Sequence, residues 1–145
     1  DRVAAYDYSV IEVFDTTTGE TLLRRDLDST PDCGGLSFLP DALIYADCEN
    51  VYVLDFETQT LTTFLTVRGA SITGLLAHPD GDLIAVKNTA ESDAETFSSV
   101  SLYDLKSGEE VFNSGDKSTR MLFDSEGSLL IIVTPNGIEF WGVAP

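Results

Sequence analysis

The chain has 145 residues, 43% of them hydrophobic, and this length and composition favour one folded domain with a substantial core. Its 25 acidic and 8 basic residues give a formal net charge of −17. This charge disfavours nucleic-acid partners, because phosphate binding needs clustered Lys or Arg. The longest aliphatic run, 129–133, is far too short to cross a bilayer, so no membrane insertion is expected either.

Polar and apolar residues alternate with a period of two along most of the chain, which predicts strands rather than helices. The first clear strand, 10–15, ends at an acid and is followed by a four-residue turn and a second strand. The same order returns at 51–55 and 100–104, and a last copy lies at 137–142. Strands and turns therefore account for nearly the whole chain.

Three hairpins are predicted between these copies. The clearest spans 75–86, where two apolar runs flank a turn at 79–81. Pro79 presets φ for a turn, and Gly81 accepts the positive φ that such a turn often needs. The other two hairpins turn at 40–41 and at 125–127.

The spacing of these units indicates an internal repeat. Asp15, Asp55, Asp104 and Gly142 occupy equivalent positions at intervals of 40, 49 and 38 residues. Repeats of about 40 residues with four strands each are typical of β-propeller blades. We divide the chain, a single segment over 1–145, into approximate repeats 1–28, 33–68, 71–113 and 118–145.

Two motifs carry a resemblance to the β-propeller superfamily, with WD-repeat or YVTN-like repeats. One is the turn of the Phe-x-Pro-Asp type at 38–41, 77–81 and 123–127, and the other is the hydrophobic-Asp end of the third strand. The resemblance implies an all-β array of four-stranded antiparallel blades. It also implies that Asp15, Asp55 and Asp104 cap the turn after the third strand by accepting backbone N–H bonds.

The strand count predicts an incomplete blade at each end of the chain: second to fourth strand, two full blades, then first to third strand. A partial propeller would leave sheet faces and a strand edge exposed. We therefore expect another copy, another chain or sequence outside this segment to complete it. Between blades, the resemblance favours aromatic packing by Phe14, Tyr103, Phe140 and Trp141.

The two cysteines are predicted to face each other across the hairpin that turns at 40–41. If Leu39 faces Ala42, paired residue numbers sum to 81, and Cys33 with Cys48 gives the same sum. Directly opposed residues are close enough for a disulfide. Such a bond would favour an extracellular, periplasmic or cell-surface location. The alternative to the disulfide is two free buried thiols. The alternative location is the cytoplasm of a salt-adapted organism, which the Asp-rich, Lys-poor composition also fits.

Residues that could carry catalysis are few. His78 is the single histidine and lies in a turn, and no Gly-x-Ser-x-Gly elbow accompanies it. We expect it to pack or cap that turn, and we expect no catalytic site, resident metal or cofactor. Calcium is left open by acidic loops at 47–50, 80–82 and 124–126, whose simpler explanation is ordinary turn hydrogen bonding.

An insertion at 88–98 lengthens the third repeat and is the candidate partner-binding loop, with Asn88, Glu91, Asp93, Glu95 and Phe97. The alternative is a disordered acidic loop. Together these features predict a non-enzymatic β-propeller module for protein–protein interaction and assembly, bound by a protein partner or further copies. The alternative function is the propeller part of a larger enzyme or sensor whose catalytic groups lie outside this chain.

Overall fold

Antiparallel β-strands make up most of the computed structural model, which describes residues 2–7, 9–27, 33–91, 96–115 and 120–143. No helix occurs within these ranges, so the prediction of an all-β chain is confirmed. The strands are β1 (Arg2–Tyr6), β2 (Val10–Asp15), β3 (Thr21–Asp26), β4 (Gly35–Phe38), β5 (Ala42–Ala46), β6 (Asn50–Asp55), β7 (Leu61–Thr66), β8 (Ser71–Ala77), β9 (Leu83–Glu91), β10 (Thr96–Asp104), β11 (Glu110–Asn113), β12 (Arg120–Phe123), β13 (Leu129–Thr134) and β14 (Gly137–Gly142).

These strands form four antiparallel sheets in chain order. The first sheet contains β1–β3, the second β4–β7, the third β8–β11 and the fourth β12–β14. Within each sheet, each strand pairs with the next one along the chain, because short turns return the chain directly beside the strand it has left. The first and fourth sheets have three strands and the middle two have four, as the strand count predicts.

Each sheet packs against the next through its own apolar cluster. The first and second sheets share a cluster that includes Ile11, Val13 and Leu43. The second and third sheets meet around Ile44 and Ile84. A third cluster joins the third and fourth sheets, with Ala85, Val100, Leu102, Leu130 and Ile132.

The period-two alternation explains how the middle sheets bury both faces. In β5, Leu43 and Tyr45 face the first sheet, whereas Ile44 and Ala46 face the third. Successive side chains point to opposite faces of a strand, so an uninterrupted apolar run can serve two neighbours. All five residues of β5 are accordingly buried.

The part of the chain that the structure describes contains no helix with the length and apolar character needed to span a membrane.

Candidate protein-binding surface

A disulfide joins Cys33 and Cys48 beyond the ends of the β4–β5 hairpin. Phe38 faces Leu43 in this hairpin, so paired residue numbers sum to 81, as predicted. The cysteine Cα atoms are 5.1 Å apart, within the usual range for a disulfide. The predicted pairing is therefore confirmed, and it fits the oxidising surroundings in which disulfides persist.

Asp15, Asp55 and Asp104 each accept hydrogen bonds within the turn that follows their strand. The Oδ1 atom of Asp15 accepts two backbone N–H bonds of 2.7 and 2.9 Å, and that of Asp104 accepts two of 2.9 and 2.6 Å. Asp55 accepts the backbone N–H of Thr58 at 2.7 Å and its hydroxyl at 2.8 Å. Backbone N–H bonds are the main cause that lowers the pKa of each of these three exposed carboxyl groups.

Three further aspartates hold other turns in the same way: Asp47 and Asp124, in acidic loops for which the sequence favours turn hydrogen bonding, and Asp7, which the sequence analysis did not single out. Asp7 accepts the backbone N–H of Ser9 at 3.1 Å and its hydroxyl at 2.8 Å. Asp124 accepts the backbone N–H of Leu129 at 2.9 Å. These bonds lower the pKa of both carboxyl groups, Asp7 mainly through the Ser9 hydroxyl and Asp124 mainly through the backbone. An aspartate three residues before a strand is the local signal that could have identified Asp7.

The third of these aspartates, Asp47, lies in a partly buried turn. Burial raises the pKa of its carboxyl group, but backbone N–H bonds from Asn50 and Glu49 outweigh burial and lower it. The hydroxyl of Tyr52 also donates to Asp47, at 2.9 Å. Burial, followed by this hydrogen bond, raises the pKa of Tyr52 to about 12.

The acidic loops considered for calcium therefore use several carboxylates as turn acceptors. Within the described ranges, no group of three or more His, Cys, Asp or Glu side chains is close enough to hold a metal ion.

The candidate partner loop is largely a strand hairpin. Asn88 and Glu91 lie in β9 and Phe97 lies in β10, so the prediction of a loop is wrong for these three residues. Asn88 faces Ser99, and Glu91 faces Thr96. Asp93 and Glu95 lie outside the described residues.

Hydroxyl side chains explain why this polar segment extends the strands. The hydroxyl of Thr89 hydrogen-bonds to that of Ser98 on β10 at 3.1 Å and to that of Thr73 at 2.9 Å. Thr and Ser on facing strands stabilise sheet pairing through such bonds. The end of β9 borders a polar cleft of about 380 Å³ that is lined in part by Glu49 and Glu91.

His78 is buried, with 6% of its surface exposed, and connects the third sheet to the fourth. Its Nε2 lies 2.9 Å from the backbone oxygen of Gly127 in the β12–β13 turn. Its ring meets Phe123 edge-on with a centroid distance of 5.1 Å. The packing role expected for this histidine extends across two sheets.

An exposed apolar surface covers the side of the fourth sheet that faces away from the third. Leu122 faces Ile131, which in turn faces Phe140, and Ile138 lies two residues before Phe140 on β14. We call these four residues the outer apolar face. The exposed fractions of Leu122, Ile138 and Phe140 are 44%, 60% and 64%.

The same surface is covered in the first and third sheets. Phe140 and Ile138 lie two and four positions before Gly142, the equivalent of Asp15 and Asp104. Their counterparts in the first and third sheets are at most 5% exposed: Ile11, Val13, Val100 and Leu102. The outer apolar face therefore corresponds to the side on which the first sheet packs against the second and the third sheet packs against the fourth.

The aromatic residues expected between blades take different positions. Tyr103 is buried in the cluster between the second and third sheets. Trp141 is 41% exposed, and its ring contacts Phe112 of the third sheet at a centroid distance of 4.7 Å. Phe140 lies on the outer apolar face and is 64% exposed, so its packing against a further sheet stays a prediction. No described sheet lies over this side of β14.

Comparisons with known proteins give no family assignment. No protein-family model matches the sequence, and no curated protein matches it significantly. The class of protein is therefore described by its fold: four antiparallel sheets of three or four strands, packed one upon the next in chain order.

Proposed function

We propose that this chain is a non-enzymatic module of the β-propeller type that binds a protein partner, or further copies of itself, through the outer apolar face. The carrying observation is the exposure of Ile138 and Phe140 at positions that are buried in the first and third sheets. Large apolar patches of this kind mark protein interaction sites. A sheet placed against this face would repeat the packing that joins the other sheets.

Burial of this face supplies a driving force for association. Covering a large apolar side chain contributes about 1.5 to 3 kcal/mol. Several such side chains lie in adjacent rows here, and clustered apolar anchors provide most of the free energy in many interfaces. The face therefore has the chemical character of an interface core.

Charge also favours this side of the molecule as the contact. Two copies with a net charge of −17 repel each other over most of their surface. The two rows that contain the outer apolar face carry one basic residue, Arg120, and no carboxylate. Association through these rows brings none of their own carboxylates into the contact, and added salt should strengthen it by screening the remaining repulsion.

The cellular location in this proposal is extracellular, periplasmic or at the cell surface. The disulfide between Cys33 and Cys48 supports it, because such bonds persist in oxidising compartments.

Sedimentation velocity over a range of protein concentrations tests the proposal. We expect the wild-type protein to associate in a concentration-dependent manner and Phe140→Asp or Leu122→Asp to weaken this association at least tenfold, because each places a charge on the face. Val111→Asp is the matched control, since Val111 is 56% exposed but lies on the third sheet. This control should associate like the wild type.

Binding of an apolar dye provides a second measurement. A protein that stays monomeric but binds the dye through a Phe140-dependent site would indicate a different protein as the partner. A monomer at every concentration that binds no dye would contradict the proposal.

A further inference from the structure

The imidazole of His78 has two polar neighbours at a single ring nitrogen. The backbone N–H of Asp80 lies 3.2 Å from Nδ1, and the Oδ1 atom of Asp82 lies 2.9 Å from the same nitrogen. A ring nitrogen either carries a proton and donates, or has a lone pair and accepts. The N–H of Asp80 needs an acceptor, whereas the carboxylate of Asp82 needs a donor. The two contacts at Nδ1 therefore require opposite protonation states of that nitrogen.

The contact with Gly127 determines which nitrogen holds the proton of the neutral ring. Nε2 lies 2.9 Å from the backbone oxygen of Gly127, and a carbonyl oxygen can only accept. The single proton of the neutral imidazole is therefore on Nε2, and Nδ1 has a lone pair. In this state the ring accepts the N–H of Asp80 and has no proton to donate to Asp82.

Protonation of the ring exchanges these partners. Both nitrogens then carry a proton, so Nδ1 donates to the carboxylate of Asp82 and no longer accepts the N–H of Asp80. Hydrogen bonds from a charged imidazole are stronger than those from a neutral one. The bond from Nε2 to Gly127 is kept, so the link to the fourth sheet is present in both states.

Burial of the ring and exposure of its acidic partner make this exchange possible. His78 is held under the surface, and its ring meets that of Phe123 edge-on. The side chain of Asp82 is 60% exposed, so water can solvate its carboxylate when the ring is neutral. The part of the site that has two arrangements is therefore the β8–β9 turn, and the imidazole stays in place.

Other charged side chains lie on the turns around this ring, but they make no ion pair with it within the described ranges. The β12–β13 turn contacts the ring directly, the β4–β5 turn meets Gly81 through Pro40, and the N–H of Leu105 in the β10–β11 turn donates to the carbonyl oxygen of Asp82. The charged groups on these turns and on the β8–β9 turn itself are Asp41, Asp80, Asp104, Lys106, Asp124 and Glu126. Asp82 is the carboxylate that pairs with the ring.

We propose that His78 is a pH-dependent switch in the β8–β9 turn, in which uptake of a proton from water moves Nδ1 from the N–H of Asp80 to the carboxylate of Asp82. Histidine side chains change their charge between about pH 5 and 8, a range in which surface carboxylates stay ionised. The turn presents a free carboxylate when the ring is neutral and a free backbone N–H when it is protonated. This switch goes beyond the proposed function, because it uses no residue of the outer apolar face.

Nuclear magnetic resonance of the ¹⁵N-labelled protein tests the proposal directly. His78 is the single histidine, so its ring nitrogens give unambiguous signals, and their shifts distinguish a protonated nitrogen from one with a lone pair. We expect a proton on Nε2 alone at about pH 8 and on both nitrogens at about pH 5. The amide of Asp80 should lose its hydrogen bond in the same transition. Its protection against solvent exchange, corrected for the intrinsic effect of pH, should fall about tenfold.

Two substitutions separate the contact with Asp82 from the general negative charge. Asp82→Asn removes the charge with little change of shape and should weaken proton binding by the ring about fivefold. Asp80→Asn is the matched control, because it makes the same charge change on the same turn and keeps the backbone N–H. It should change proton binding by less than about twofold. Both side chains are exposed, so both variants should fold.

Four outcomes would overturn the proposal. Ring signals that do not change between about pH 5 and 8 would show that His78 does not titrate in this range. A proton on Nδ1 alone in the neutral ring would contradict the assignment of partners. Equal effects of Asp82→Asn and Asp80→Asn would mean that the ring responds to charge in general. An amide of Asp80 whose protection does not follow the ring would show that the turn does not switch. Phe140→Asp should leave the titration unchanged, so the result is independent of the proposed function.

Discussion

Single residues in the turns that follow β2, β6 and β10 show how closely the sheets repeat. Four positions beyond each turn acid the backbone turns left-handed: φ is 74° at Gly19 and at Gly108, and 55° at Gln59. Gln59 is the one residue other than glycine with positive φ in the described ranges. A side chain in this region costs about 1–2 kcal/mol, because Cβ crowds the carbonyl oxygen. The second sheet therefore carries a local strain that its neighbours avoid.

Replacing this residue should relieve the strain. We expect Gln59→Gly to stabilise the protein by about 0.5–1 kcal/mol, since the relief exceeds the added entropy of glycine in the unfolded chain. The reverse change, Gly108→Gln, should destabilise it by a similar amount, as nothing lies within 4 Å of a Cβ at that position. Urea unfolding measures both, and equal midpoints for all three proteins would contradict the explanation.

At the scale of elements, turns as well as strands hold neighbouring sheets together. The β12–β13 turn approaches the β8–β9 turn, where Gly127 offers its carbonyl oxygen to His78. Gly127 has a φ of 72°, and a Cβ added there would overlap the imidazole ring. Glycine thus meets two requirements at this junction, one of backbone conformation and one of space.

A pair of alanine substitutions separates these requirements. Gly19→Ala introduces a side chain at a φ of 74° in open space and should cost about 1 kcal/mol. Gly127→Ala adds the clash with His78 and the weakening of its hydrogen bond, so it should cost about 2 kcal/mol more. Thermal or urea unfolding measures the difference, and equal losses in the two variants would show that the His78 contact contributes little.

For the whole molecule, the three apolar clusters form a continuous series from the first sheet to the fourth. The second and third sheets share further backbone contacts, among them the N–H of Ile72 donating to the carbonyl oxygen of Cys48 at 2.8 Å. Because the middle sheets belong to two clusters each, loss of one sheet exposes the core of the next. We therefore expect the four sheets to unfold as one cooperative unit.

Reduction of the disulfide tests this cooperativity. The bond closes a loop with a sequence separation of 15, for which the entropic stabilisation is about 3 kcal/mol. Reductant should lower the urea midpoint by a corresponding amount, and both circular dichroism and Trp141 fluorescence should report the same shift, although Trp141 lies in the fourth sheet. The Cys33→Ala/Cys48→Ala double variant is the control and should not respond to reductant. A Trp141 transition that stays in place would show that the sheets unfold separately.

The sequence by itself determined the local features of this protein: its strands, the pairing of Cys33 with Cys48, and the turns held by acids such as Asp55. These depend on alternation and on hydrogen bonds between residues a few positions apart, which a one-dimensional pattern records. The sequence also predicted a loop at Asn88 and Phe97. These residues lie in strands instead, because polar side chains in this segment hydrogen-bond across the sheet.

Only the tertiary structure decided which sheet faces are covered. Ile138 and Val100 occupy equivalent positions, yet one is 60% exposed and the other is fully buried. The contact of His78 with Gly127, 49 residues away, was equally outside the reach of local pattern. Burial depends on what lies opposite a side chain in space, and that partner is set by the packing of whole sheets rather than by the residue and its neighbours in the chain.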